Sequence, residues 1–156
     1  MMTQRRMVLK GTLSTAAISI AVCCGLLYPG QVLAVWNKQA FAANNLQTAI
    51  KTTLDSDLTQ ASNQIDIKAP DIAENGSVVP ITVTSSLNNV SSITLLSEKN
   101  ATPLVAKFDL HEDTQAFIST RIKMSKTSNV IAIVTAGEKN FSVRKEVKVT
   151  IGGCGG

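Results

Sequence analysis

NVIAIVTAGEKNFSVRKEVKVTI, residues 129–151, holds two runs of β character joined by a turn. In the second run Val147, Val149 and Ile151 alternate with Lys148 and Thr150, a period of two that gives a strand one apolar and one polar face. Ala136-Gly137-Glu138 supplies the break, with glycine as the residue that reverses a chain with least strain. The pattern extends upstream. QIDIKA (64–69), VVPITVTS (78–85), SSITLLS (91–97), PLVAKFDL (103–110) and AFISTRIKM (116–124) join NVIAIVTA (129–136) and NFSVRKEVKVTI (140–151) as candidate strands. Asn75-Gly76, Asn88-Asn89, Asn100 to Pro103 and His111 to Asp113 carry the turn chemistry between them. Short strands at nearly regular spacing predict an all-β chain, an antiparallel β-sandwich of immunoglobulin-like kind; a barrel would use the same pattern. Pro80 cannot donate to a ladder, so its strand is expected at an edge or bulged. WNKQAFAANNLQTAIKTTL, residues 36–54, spaces its apolar residues near three and four, which predicts one amphipathic helix against a face or end of the sandwich.

With 156 residues and 44 % apolar content, the chain has room for one packed domain and accessories. Its first segment reads as a leader. TQRRMVLKG places Arg5 and Arg6 before Met7, Val8, Leu9 and Lys10; the apolar run TLSTAAISIAVCCGLLY and the small residues of QVLA follow. This is a twin-arginine export signal, spanning 1–34, with cleavage after Ala34 or alternatively Ala42, and it implies a periplasmic protein. A retained anchor helix is the bland alternative, but the run is barely bilayer length and ends at Pro29-Gly30. Val22 before Cys23 argues against a lipoprotein. Without Arg5, Arg6 and Lys10 the chain has 12 basic and 11 acidic side chains, a balance that indicates neither a nucleic-acid nor a membrane surface.

Cys23 and Cys24 lie inside the leader, so the mature chain keeps one thiol, Cys154. It sits beyond the body (35–151) in a tail, 152–156, where Gly152, Gly153, Gly155 and Gly156 flank it. One cysteine in an oxidising compartment cannot close an internal disulfide; it is an accident, an intermolecular link or a reactive group. Glycines give the tail backbone freedom, a narrow profile and no charge with which to activate the thiol. The sulfur can project roughly 10 Å past Ile151, enough to enter another protein's cleft. A frayed terminus is the competing reading. No other chemistry is evident. His111 is the sole histidine, Asp109, Glu112 and Asp113 beside it read as a charged loop, and neither a metal set nor a Cys154–His111 nucleophile pair is supported. GGCGG has no helix after it and is not a phosphate loop.

These residues resemble a known family. The ending KVTIGGCGG is similar to the C-terminus of SoxY, the sulfur carrier of periplasmic thiosulfate oxidation. WNKQAF, IDIKAPDIAENGSVVPITV, ATPLVAKFDL and STRIKMSKTSNVIAIV extend the resemblance over almost the whole mature chain. It implies a non-enzymatic carrier without cofactor or metal, whose Cys154 holds cargo covalently. A c-type cytochrome would conjugate thiosulfate to it, and a dimanganese thiosulfohydrolase would release sulfate and leave a persulfide. The outer sulfur would then be oxidised by a sulfane dehydrogenase or passed to stored sulfur. The resemblance further implies a heterodimer with a SoxZ-like subunit, and it leaves open whether Pro70 to Val83 serves that interface or the fold alone.

Two other readings compete. A thiocarboxylate carrier would use the terminal Gly155-Gly156, although such carriers are smaller and cytoplasmic. A structural or adhesion module would dimerise through a Cys154 disulfide. An enzyme with its own turnover has least support, because base and metal are missing.

Overall fold

A computed structural model of the chain describes residues 37–56 and 58–150. Residues 1–36, with the leader and the Ala34 cleavage junction, and the tail from Ile151 lie outside the described residues, whereas the alternative junction at Ala42 is described. Among the described residues two short helices precede nine strands: α1 Lys38–Ala42, α2 Leu46–Leu54, β1 Gln60–Ala61, β2 Ile65–Lys68, β3 Ile72–Ala73, β4 Val79–Ser85, β5 Val90–Ser97, β6 Leu104–Asp109, β7 Phe117–Ile122, β8 Ser128–Ala136 and β9 Lys139–Val149. One sheet runs β1-β9-β8-β5-β6, with β3 also on β9; the other runs β2-β4-β7. All seven strands anticipated from the alternation are present, and the architecture is a two-sheet sandwich of immunoglobulin-like kind.

Alternation decides which side chains fill the space between the sheets. Ile65 and Ile67 of β2, Val79, Ile81 and Val83 of β4, and Ile118 and Ile122 of β7 face Ile93 and Leu95 of β5 and Val130, Ala132 and Val134 of β8. The other faces of β5 and β8 are apolar too. Leu96, Ile131 and Ile133, with Leu104 of β6, are buried against Ala40, Ala49 and Ile50 of the helices. A strand covered on both sides needs no polar face, which is why VIAIV reads as an unbroken apolar run. Four large side chains that would otherwise meet water are worth about 1.5–3 kcal/mol each when covered, so the helices belong to the core. At nine residues α2 could not persist by propensity alone.

The single helix expected over 36–54 is two. Asn45 adopts an extended conformation and its side chain accepts the Thr48 amide at 2.8 Å, starting a new helix where the amphipathic spacing alone suggested continuation. Asn37 caps α1 in the same way through the Ala40 amide at 3.0 Å, and it also donates from Nδ2 to the Thr52 carbonyl at 2.8 Å. Pro80 needs correction as well. Strand β4 is the central strand of its sheet rather than an edge, but β2 pairs only with Thr82–Ser85, so at Pro80 one side of β4 is open and no bond to β2 is lost. The β8–β9 hairpin turns through Gly137-Glu138, where Gly137 has φ of 59°.

Candidate functional site at the root of the C-terminal arm

Strand β9 runs the length of the large sheet and delivers the chain to the tail, so what holds its last residues defines where any arm begins. On one side β3 pairs with it in parallel, Ile72 opposite Lys148 and Ala73 opposite Val149. The Lys148 amide donates to the Asp71 carbonyl at 2.9 Å, and the Thr150 amide to the Ala73 carbonyl at 3.2 Å. Thr150 adds a hydroxyl bond to the Glu74 carbonyl at 3.2 Å. On the other side β8 ends opposite Val147. Thr127 continues the ladder with its side chain: Oγ1 accepts the Val149 amide at 2.9 Å and donates to the Val149 carbonyl at 3.3 Å. Both edges are thus bonded at the strand's final residues.

The turn after β3 completes the clamp. Asn75 Oδ1 accepts the Ser77 amide at 2.9 Å, an Asx turn, and buried Gly76 passes between β9 and the β7–β8 connection. The Met124 amide donates to the Gly76 carbonyl at 2.7 Å. A Cβ on Gly76 would lie 2.5 Å from the Met124 carbonyl oxygen and 2.7 Å from Val149 Cγ1, so close approach requires glycine here. Asp71 and Lys145 pair at 3.3 Å, but with Asp71 91 % exposed the pair contributes little. The stretch APDIAENG therefore supports the end of β9.

The other groups considered lie far away. His111 is exposed and 3.7 Å from Asp113, in the loop that follows β6 at the hairpin end of the sandwich. The 11 residues of β9 separate that end from Thr150, about 36 Å. Cys154, four residues beyond Thr150, reaches at most about 14 Å. A Cys154–His111 pair within one chain is excluded by length. Among the described residues no group of His, Cys, Asp and Glu could hold a metal ion. A cavity of about 630 Å³ beside Phe117 opens at the same distant end. Cys154 and its four glycines, the site expected from the sequence, lie outside the described residues, and sequence reasoning did not point to Thr127, whose role carries no local signal.

The family model for the sulfur oxidation protein SoxY matches residues 50–154, from within α2 to the tail cysteine itself. The chain belongs to the SoxY family. A solved SoxY, the sulfur carrier protein from Chlorobium limicola f thiosulfatophilum, is 40 % identical, with 73 % of this chain and 99 % of that one covered and a TM-score of 0.63. Membership places the chain in sulfur oxidation, in a family of carriers. A toxic shock syndrome toxin-1 structure covers 55 % of the chain at 10 % identity and a TM-score of 0.41, too remote to bear on the SoxY fold or its use. No curated protein matches the chain.

Proposed function

We propose that the chain is a periplasmic carrier, exported by the twin-arginine route, that holds sulfur intermediates covalently on Cys154 and presents them to partner enzymes. Loading joins the Cys154 sulfur to the sulfane sulfur of thiosulfate. The thiol loses its proton and the pair loses two electrons to a c-type cytochrome, leaving a cysteine S-thiosulfonate. Hydrolysis by a dimanganese thiosulfohydrolase breaks the bond to the sulfonate group; water supplies the fourth oxygen of sulfate, and Cys154 keeps a persulfide. The outer sulfur goes to a sulfane dehydrogenase or to storage. The chain itself contributes the thiol, its reach and its fixed base, as one half of a heterodimer with a SoxZ-like subunit.

The observation that carries this reading is the clamp at Val149 and Thr150, which gives the family's matched cysteine a defined origin four residues away. The test is a non-reducing mass spectrum of the peptide ending GGCGG, from protein of thiosulfate-fed cells, before and after a phosphine reductant. Sulfur or thiosulfonate mass on Cys154 is the expected result. A bare thiol or a symmetrical disulfide would refute the carrier and favour the covalent dimer. Deleting Gly156 should leave loading intact, whereas a thiocarboxylate carrier would lose it.

A further inference from the structure

The near-neutral composition hides a separation of charge that only the fold reveals. Taking residues 71–81, 96–104, 120–131 and 144–150 as the arm-bearing half, seven basic side chains stand against four acidic ones. The hairpin end carries Asp55, Asp66, Asp109, Glu112, Asp113 and Glu138 against Lys51, Lys68, Lys107 and Lys139. At the root Asp71 pairs with Lys145 and Glu98 accepts from Asn129 Nδ2 at 2.8 Å, while Glu74 and Glu146 are exposed, so the basic side chains keep an excess of three there. Lys99, Lys123, Lys126 and Lys148 are exposed and have no carboxylate partner among the described residues.

Each of those lysines sits one residue from a root contact. Lys148 precedes Val149 and Lys126 precedes Thr127, which bond to each other; Lys123 precedes Met124, bonded to Gly76. Lys99 precedes Asn100, which donates to the Lys123 carbonyl at 2.7 Å and accepts the Ser125 amide at 2.9 Å. The four cations therefore flank the contacts that hold the end of β9, on the segments that surround the point where the chain leaves the body. The cavities lined by Phe117, by Gly137 and by Asp55 include none of the four, which stand as an exposed collar.

Reach turns this collar into an interface. Because Cys154 extends at most about 14 Å past Thr150, an active site can take its sulfur only by bringing the rim of its mouth against the root. We infer that the lysine collar is the surface shared by all partners that accept the arm, and that their mouths are rimmed with acidic side chains. Like charge on a rim would repel the body, and complementary charge raises the encounter rate of short-lived complexes without adding tight affinity. This inference rests on the carrier reading above and specifies its docking surface.

The test compares full-length protein with a Lys123→Glu, Lys126→Glu, Lys148→Glu variant, measuring the initial rate of thiosulfate-dependent Cys154 loading in periplasmic extract over a range of salt. The wild-type rate should fall with salt. The variant should load about tenfold more slowly or worse at low ionic strength, with a flattened salt dependence. Alkylation of both proteins by neutral iodoacetamide should agree within about twofold, showing that fold and thiol are intact. Equal loading rates and equal salt slopes would overturn the collar. A loss of the same size toward the small dianionic disulfide dithiobisnitrobenzoate would also overturn it, by moving the effect to small anions. Absence of loading in the wild type would instead refute the carrier reading.

Discussion

Replacing Thr127 by valine removes one hydroxyl and nothing else of comparable size. That hydroxyl is the acceptor for the Val149 amide at 2.9 Å and a donor to its carbonyl at 3.3 Å. The amide is half-buried at the strand end, so water recovers only part of what is lost, and the net cost is about 1–2 kcal/mol. Every opening that breaks this contact becomes more populated by the same free energy, so hydrogen exchange at the Val149 and Thr150 amides should accelerate about five- to thirtyfold. Urea unfolding should report a matching loss of stability. Thr127→Ser keeps the hydroxyl and should exchange at nearly the wild-type rate. Unchanged exchange in the valine variant, or a serine variant as fast as the valine one, would show that the hydroxyl does not hold the root.

Two further perturbations test the body. Thr94 is buried with no partner for its hydroxyl among the described residues, so Thr94→Val should raise stability by about 1 kcal/mol in urea unfolding; a loss would mean that the hydroxyl is satisfied. A chain beginning at Ala43, the product of the alternative cleavage, lacks Ala40, Phe41 and the Asn37 bond to Thr52, and should be about 2–3 kcal/mol less stable than one beginning at Val35. Equal unfolding midpoints would remove this structural preference for cleavage after Ala34.

What the sequence made legible is what repeats. Seven strands announced themselves because each is long enough to show alternation and is bounded by Asn, Gly or Pro. Strands β1 and β3 did not, since two residues carry no period and their partner lies at the other end of the chain. The break between α1 and α2 was hidden because the helical spacing continues through Asn44-Asn45, and the cap depends on a backbone angle that spacing does not encode. Gly76 was read as a turn residue, which it is; that it must also admit Met124 and Val149 is a three-dimensional fact. The charge of the root escaped for the same reason. Its lysines come from three separate segments, and composition averages them with acids that fold to the far end.

The parallel pairs on β9 bear on how the molecule comes into being. Thr59 meets Ser142 across 83 residues and Glu74 meets Thr150 across 76, so the edge of β9 away from β8 is closed at both ends by contacts of high sequence separation. Such closures form late and slowly, after local hairpins have already gathered. The strand that completes the sheet is also the last to be synthesised. A half-folded chain therefore has no anchored strand end, and the point where the chain leaves the body becomes fixed only when the whole sandwich has assembled.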